Sequence, residues 1–185
     1  MLNKAMKRAS VRFNYNDYLL LPEDKRYEIL NGDLSMVPAP GTKHQRLLIN
    51  LSALLLIKLR RLGTVLQAPF DVLLSHEDIV QPDILFVRKE RSGIIGELNI
   101  QGSPDLVVEI LSPVTRERDL GAKRKIYFKF GVQEYWIVDP EAETIDVLVW
   151  SEIGYISAGV YKKAARLYSP LLPSLKIHLS EIFRK

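Results

Sequence analysis

One glutamate lies in a stretch of sequence where a charged side chain is costly to keep. Glu109 falls inside Asp105–Leu111, which reads DLVVEIL. Such a run is typical of a central strand that is covered on both faces. Glutamate is rarely buried without a partner, because an unpaired ionised carboxylate is strongly destabilised in an apolar medium. Glu109 therefore needs a cation, a hydrogen-bonding cluster or a water-filled cleft.

A second carboxylate raises the same problem more mildly. Asp83 stands at the head of Asp83–Val87, which reads DILFV. Two carboxylates placed close together repel each other, and a divalent cation between them removes that repulsion. Mg²⁺ prefers a few carboxylates, carbonyls and retained waters, and it activates both water and phosphodiesters. The alternative is structural: Glu109 lies at a sheet edge or pairs with a buried arginine.

A third group lies further along the chain. Asp119, Lys123 and Tyr127 are four residues apart, which puts them on one stripe of a helix. The neighbouring stripe is apolar and consists of Ala122, Ile126 and Phe130. Lys123 therefore lies at the border of the buried face, where its ammonium group reaches the strand ends. The alternative is a surface lysine whose stem covers apolar residues while its charge stays in water.

The elements that must position these groups follow from local patterns. A capping box of Thr42 and Gln45 predicts a mostly buried helix from Lys43 to Leu62, ended by Gly63. The other predicted elements are a helix Tyr15–Leu21, a hairpin Tyr27–Val37 turning at Asn31-Gly32, a strand candidate Thr64–Ser75 that is bent or interrupted near Pro69, strands Asp83–Val87 and Asp105–Leu111, a helix Arg118–Phe130, a strand Glu134–Val138, a hairpin of Ile145–Trp150 and Tyr155–Ala158, a tail strand Leu175–Ile177 and a terminal helical turn. This order predicts an α/β sandwich, with a mixed central sheet flanked by helices and extra N- and C-terminal hairpins.

The bulk properties predict an ordinary globular protein. The 185 residues suffice for one domain, predicted over residues 15–185 after a flexible basic arm at residues 1–14. Cysteine is absent, which excludes disulfides, a thiolate nucleophile and a cysteine-based zinc site. No apolar stretch suits a membrane span, so a cytoplasmic protein is expected. The net charge of +4 is compatible with a polyanionic partner.

Taken together, the motifs resemble those of the Uma2 family, a former domain of unknown function in the PD-(D/E)XK superfamily of restriction-endonuclease-like proteins. The matching pieces are Tyr27–Gly32, the helix that begins near His44, Gln81-Pro82-Asp83, the block Ser103–Pro113, the series Asp119, Lys123 and Tyr127, and the block Gly131–Pro140. The likeness spans about residues 15 to 180, and the order and spacing from Ser103 to Pro140 are specific.

This resemblance implies roles for the candidate residues. Asp83 and Glu109 are similar to the metal-binding acids of the two half-motifs, with the main-chain carbonyl of Ile110 completing the coordination of Mg²⁺ or Mn²⁺. The usual lysine two positions after the acid is Leu111 here, which is a departure from the pattern. The resemblance implies that Lys123 supplies the ammonium group instead, to orient the attacking water or stabilise charge on the phosphate.

Further residues are candidates with open alternatives. Glu28 resembles a recurrent acidic position that holds a second metal or a metal-bound water, and its alternative is an exposed hairpin carboxylate. His44 shares a helix face with Leu48 and is either a site-lining residue or a core histidine. Asp119 and Tyr127 also belong to the site-lining candidates, although Tyr127 is otherwise expected to pack the core. The three histidines show no zinc-ligand spacing.

The positive charges near these motifs are candidates for phosphate contacts. They are Arg88, Lys89, Arg91, Arg116, Arg118, Arg124, Lys125 and Lys129. For each one the alternative is a solvated surface charge.

The resulting hypothesis is a metal-dependent endonuclease that hydrolyses DNA phosphodiester bonds, with a homodimer favoured if both strands are cut. The alternative is a nucleic-acid- or partner-binding protein on a nuclease-like fold with weak or no catalysis, which the leucine at position 111 favours. A hydrolase acting on small phosphoesters is a distant third, because the sequence has no phosphate-cradling glycine loop and no serine-centred elbow.

Overall fold

The computed structural model of the protein describes residues 11–184. Most of the arm predicted at residues 1–14 lies outside the described residues. At its end, Arg12 donates to the carbonyl of Asn31 at 2.8 Å and pairs with Glu77 at 2.6 Å. The amide of Phe13 donates to the carbonyl of Gly32 at 2.8 Å, so these residues are attached to the first hairpin.

Thirteen strands and five α-helical segments make up this part of the chain. The strands are β1 Arg26–Leu30, β2 Asp33–Val37, β3 Gly63–Gln67, β4 Asp71–Ser75, β5 Asp78–Val80, β6 Ile84–Arg88, β7 Asn99–Gln101, β8 Leu106–Ile110, β9 Glu134–Asp139, β10 Thr144–Ser151, β11 Gly154–Lys162, β12 Arg166–Leu167 and β13 Ile177–His178. The helical segments are α1 Tyr15–Tyr18, α2 Thr42–Leu59, α3 Arg116–Arg118, α4 Arg124–Lys129 and α5 Leu179–Ile182, with a 3₁₀ turn at Lys89–Ile94.

A six-stranded mixed sheet forms the centre, in the order β11-β10-β9-β8-β6-β3. Strands β8 and β9 are parallel, and the other neighbours are antiparallel. All five residues of β8 are buried, as the apolar run predicts. Alternate residues along β8, and Leu111 directly after it, enter two different cores: Val108 and Ile110 lie in one, and Val107 and Leu111 lie in the other. The predicted mixed central sheet is confirmed.

A second sheet of five strands, in the order β2-β1-β5-β4-β7, was not predicted as a sheet. Its first hairpin turns where predicted, with Asn31 and Gly32 at φ 49° and 79°, the left-handed values that this tight turn requires. Of the two alternatives predicted for Thr64–Ser75, a bend or an interruption near Pro69, the structure has the interruption: β3 belongs to the central sheet and β4 to the second one. Pro69, which has no amide hydrogen, lies in the connection between them.

The bounds of α2 also differ from the prediction. Gly41 is the N-cap, Thr42 is already helical, and no side chain caps this end, so the predicted capping box is wrong. The helix ends at Leu59, and Gly63 begins β3. A side chain at Gly63 would collide with the neighbouring strand, because its β-carbon would lie 2.9 Å from Cα of Arg88. Gly63 therefore allows close strand pairing and does not end the helix.

The outer face of α2 corrects the expectation of a mostly buried helix. Ile49, Leu56 and Ile57 are each more than half exposed. The opposite face packs on the central sheet, with Leu51 and Leu55 fully buried in the first core.

The two cores lie on opposite faces of the central sheet. The first joins that sheet to α2 and the C-terminal segment, and the second joins it to the five-stranded sheet and to Ile126 and Tyr127 of α4. Side chains that project from β8 into the second core therefore meet the five-stranded sheet and the helix that contains Lys123. No helix within residues 11–184 combines the length and the apolar character that crossing a membrane requires.

Candidate active site

The helix that follows β8 is irregular at the point where its polar stripe begins. Segments α3 and α4 are joined by a π-helical turn over Asp119–Lys123. A π turn is wider than an α turn, and such turns occur often at functional sites. Asp119 and Lys123, which bound this turn, are both buried. The helix thus presents a buried polar stripe to the sheet, as the four-residue spacing predicts.

Glu109 is held by two side chains of that stripe. Its Oε1 accepts hydrogen bonds from Nζ of Lys123 at 2.9 Å and from the hydroxyl of Tyr127 at 2.6 Å. The residue is only 3% exposed. Of the explanations that the sequence allows for this buried acid, the structure shows a hydrogen-bonding cluster, with lysine and not arginine as the cation.

Lys123 is the centre of a buried charge cluster. Its Nζ lies 2.8 Å from Oε1 of Glu28, 2.9 Å from Oε1 of Glu109 and 3.7 Å from Oδ1 of Asp119. The side chain is 3% exposed, which rules out the alternative of a surface lysine. One ammonium group thus neutralises parts of three carboxylates that come from the second sheet, the central sheet and the helix.

Glu28 is also buried, which makes the alternative of an exposed hairpin carboxylate wrong. Its Oε1 accepts the amide of Gln81 at 2.8 Å. Its Oε2 lies 3.2 Å from Nη2 of Arg118, an ion-pair contact without the alignment of a hydrogen bond. Arg118 is fixed on its other side by a 3.0 Å hydrogen bond from Nη1 to Oγ of Ser35. Hairpin β1–β2 therefore holds the arginine in place.

Asp83 reaches the site from the connection between the two sheets. Its Oδ2 accepts the amide of Ile110 at 2.7 Å and lies 3.1 Å from Nε2 of His44. The backbone contact ties Asp83 to the end of β8, next to Glu109. His44, near the start of α2, has a buried Nδ1 without a hydrogen-bond partner among residues 11–184.

Burial is the largest influence on the pKa values of Glu109, Asp119 and Lys123. It raises the pKa of Glu109 well above the ordinary value, against the opposing effect of Lys123 and with smaller contributions from Asp119, Asp83 and Glu28. Burial likewise raises the pKa of Asp119, again opposed by Lys123. For Lys123, burial alone lowers the pKa, but Glu109, Glu28 and Asp119 together outweigh it and raise the pKa. The three neighbouring carboxylates therefore favour the charged form of the lysine.

These groups line a single cavity of about 250 Å³. Its wall includes Asp83, Glu109, Asp119, Lys123 and His44. Ile110 and Arg118 also line it. Tyr127 does not line it, but reaches Glu109 from the core behind. The structure thus brings together the candidates that the sequence singled out, with Glu28 attached to the cluster through Lys123.

The donor set meets part of what a divalent cation requires. Hydrogen bonds from residues 11–184 use Oε1 of Glu109 and Oδ2 of Asp83, and none from these residues uses the other oxygen of either carboxylate. Within this range no three side chains of His, Asp or Glu form a ready-made metal cluster. Two carboxylates suit a hard cation such as Mg²⁺, which keeps several of its waters.

Most of the candidate phosphate-binding residues lie away from the cavity. Arg118 alone among the eight lines the cavity. Others are engaged elsewhere: Arg91 pairs with Asp105 at 2.9 Å, Arg116 with Asp139 at 2.9 Å, and Lys129 with Asp78 at 3.1 Å. Sequence proximity to the motifs did not predict proximity to the site.

Among the polar residues of the cavity wall that were not site candidates from the sequence, two are hydrogen-bonded to each other. They are Arg26 and Gln81, joined by a 2.8 Å hydrogen bond from Nε of the arginine. Gln81 belongs to the Gln81-Pro82-Asp83 motif, and this was the signal that could have found it. Arg26 begins β1, one residue before the predicted hairpin and two residues before Glu28, on the same face of the strand.

Comparisons with known proteins agree on family and fold. The Uma2 family, described as "Putative restriction endonuclease", matches residues 15–180. Among solved structures, five chains match. One is a protein from Anabaena variabilis described as "a putative nuclease belonging to DUF820", with a TM-score of 0.77, 20% identity, and coverage of 92% of this chain and 97% of that one. At this identity the likeness shows a common fold. No curated protein matches significantly.

Proposed function

The chain belongs to the Uma2 family of restriction-endonuclease-like proteins, and from that premise we propose that it is a metal-dependent nuclease that hydrolyses DNA phosphodiester bonds. Asp83, Glu109 and Lys123 are the proposed catalytic group. The proposed cofactor is Mg²⁺ or Mn²⁺.

One observation carries this proposal. Three charged side chains from positions 83, 109 and 123 meet at a single cavity, with Lys123 Nζ 2.9 Å from Glu109 Oε1. Leu111, where the usual motif has its lysine, is buried in the second core. A lysine on the facing helix therefore stands beside Glu109, although the motif position on the strand is apolar.

In this proposal, Asp83, Glu109 and the main-chain carbonyl of Ile110 hold the cation. When bound, the cation would polarise the phosphodiester and make it easier for water to lose a proton near neutral pH. Hydrolysis adds the oxygen of water to phosphorus, breaks a phosphorus–oxygen bond to one sugar, and passes a proton to the leaving oxygen.

The remaining residues prepare the site for this reaction. Lys123 opposes the rise in the pKa of Glu109 and holds its carboxyl group in place by supplying a positive charge beside it. Tyr127 fixes the rotamer of Glu109 by donating to the same oxygen. His44 and the amide of Ile110 orient Asp83. Arg118 is the cavity-lining cation whose guanidinium group suits a phosphate.

A plasmid-nicking assay with purified protein tests the function. Nicking is expected with Mg²⁺ or Mn²⁺, and none with EDTA. Glu109→Ala and Lys123→Ala should each abolish it, whereas Glu117→Ala and Lys125→Ala, which change exposed residues of the same types, should not. Equal activity in Glu109→Ala and the wild type would remove the assignment, provided that circular dichroism shows both to be folded.

The second candidate function is binding without catalysis. It is favoured by the number of contacts that already occupy the lysine, whose ammonium group faces three carboxylates. An engaged lysine of this kind is a structural cation, and Leu111 supplies no replacement. Binding of DNA that weakens with salt but is indifferent to Mg²⁺ and EDTA, without nicking, would identify this function.

A further inference from the structure

Resting on the proposed nuclease function, we infer that the site takes a single, unpaired nucleic-acid strand and discriminates against an intact duplex. The inference depends on how deep the reactive groups lie and on where the positive charges stand around them.

The reactive groups are recessed. Glu109 is 3% exposed, and the side chains of Lys123 and Asp83 are 3% and 14% exposed. They are reached through a cavity of about 250 Å³. Duplex DNA is a stiff rod with a persistence length of about 150 base pairs, so it does not bend into a recess of this size. A single strand is flexible enough to bring one phosphate to the carboxylates.

Two segments of the cavity wall have no charged side chain. Two segments that line the cavity and include its most exposed residues, 37–41 and 112–115, form what we call the apolar rim. They read VPAPG and SPVT, without any lysine or arginine. Val114, in the second segment, is 76% exposed. A surface that docks a duplex needs cations to contact the phosphates of both strands, and the apolar rim has none.

The next basic residue along each rim segment is already neutralised. Lys43 pairs with Glu141 at 2.8 Å, and Arg116 pairs with Asp139 at 2.9 Å. The two arginines of the site, Arg26 and Arg118, line the cavity itself, and Arg118 is also in contact with the buried Glu28. The charge pattern therefore suits one backbone that enters the cavity, with unpaired bases lying against the apolar rim.

The test compares end-labelled oligonucleotides of one sequence with the full chain and Mg²⁺ or Mn²⁺. The probes are single-stranded DNA, the same strand as RNA, a blunt duplex, and a duplex with an internal unpaired loop. Cleavage of a single-stranded probe and of the unpaired loop is expected to be at least about tenfold faster than cleavage of the duplex, because unpairing a base is unfavourable. The DNA and RNA arms decide which single strand is the substrate.

Fluorescence anisotropy with the same probes and the Glu109→Ala protein separates this inference from the nuclease proposal. Duplex cleaved as fast as single strand would overturn the inference and leave the nuclease standing. Tighter binding of single strand without any cleavage would overturn the nuclease and support the inference. Binding of no probe would overturn both.

A charge placed on the apolar rim gives an independent check. Val114→Lys should raise the affinity for the duplex and so reduce the ratio of single-strand to duplex affinity. Val160→Lys, at a residue that is 60% exposed on β11, is the matched control and should change nothing. An unchanged preference in Val114→Lys would contradict the role assigned to the uncharged rim.

Discussion

At the scale of single residues, the charge cluster around Lys123 predicts an unusually large loss of stability when the lysine is removed. Lys123→Met leaves Glu28, Glu109 and Asp119 without their common cation. Breaking a buried ion pair by removing one partner typically costs about 3–5 kcal/mol, because the remaining charge is uncompensated. Urea unfolding followed by circular dichroism measures the free energy. Lys125→Met, at an exposed position, should stay within about 0.5 kcal/mol, and equal losses in the two variants would contradict the cluster.

The hydroxyl of Tyr127 allows a test of how Glu109 is positioned. Tyr127→Phe removes the 2.6 Å hydrogen bond to Glu109 and leaves the ring. We expect nicking to slow by about tenfold, which is the equivalent of one ordinary hydrogen bond. Tyr135→Phe is the matched control, because its hydroxyl donates to the carbonyl of Asp119 at 3.1 Å and not to a carboxylate. If both variants slow equally, the effect is one of packing and not of positioning.

We expect the carboxyl group of Asp139 to account for part of the stability that the protein loses in acid. Burial alone raises its pKa, but hydrogen bonds from the amides of Ala142 and Glu141 and from Arg116 outweigh this and lower the pKa below the ordinary 3.8. A carboxyl group with a depressed folded-state pKa stabilises the protein above its unfolded pKa, and this contribution is lost as the pH falls through the folded value. The stabilisation that Asp139 contributes is therefore lost at pH values below about 4.

The corresponding variant is Asp139→Asn, which keeps an oxygen for the two amides but does not titrate. Its free energy of unfolding should fall less steeply with acid than that of the wild type, as measured by urea unfolding at several pH values. Asp33→Asn, at an exposed position of β2, serves as the control. Parallel acid profiles for the wild type and Asp139→Asn would refute the assignment.

At the scale of elements, the pairing of β3 with β6 depends on the absence of a side chain at Gly63. A β-carbon there would lie 2.9 Å from Cα of Arg88 and collide with the carbonyl of Val87. We expect Gly63→Ala to reduce the free energy of unfolding by about 1–3 kcal/mol, as overpacking does. Gly93→Ala is the matched control, since an added β-carbon meets nothing within 4 Å. A Gly63→Ala protein as stable as this control would show that the strands can separate without loss.

The polar stripe of the helix is a second feature of this scale. Four-residue spacing predicts that Asp119, Lys123 and Tyr127 share a face, and their contacts with Glu109 and with each other agree. The π turn that begins at Asp119 was not predicted, because the sequence around Gly121 reads as ordinary helix. Its extra width is a property of the packed helix, where the buried charges must all be accommodated.

At the scale of the whole molecule, the homodimer expected from the sequence stays a prediction. The face of α2 that carries Ile49, Leu56 and Ile57 is apolar and exposed, which is the kind of surface that oligomers bury. Sedimentation velocity of the full chain over a range of concentrations should give the mass of a dimer. A monomer mass throughout would contradict the prediction without affecting the proposed nuclease, because one site suffices to cut one strand.

Several features of the fold and the site were determined by the sequence alone. The apolar run around Glu109 predicted a buried central strand and showed that a carboxylate lies inside it, because periodicity and burial are local properties of the sequence. Asn31-Gly32 determined a hairpin, because both residues tolerate positive φ. The stripe of Asp119, Lys123 and Tyr127 followed from helical spacing, and the structure puts all three beside Glu109 or Lys123.

Only the tertiary structure decided which of the polar residues meet. The burial of Glu28 depends on contacts with Gln81, Arg118 and Lys123, which are at least 53 positions away in the chain. The division of β3 and β4 between two sheets, and the exclusion of most basic residues from the cavity, depend likewise on which strands pair. Local propensity carries no information about such contacts, because their energies arise only when distant segments exclude water together.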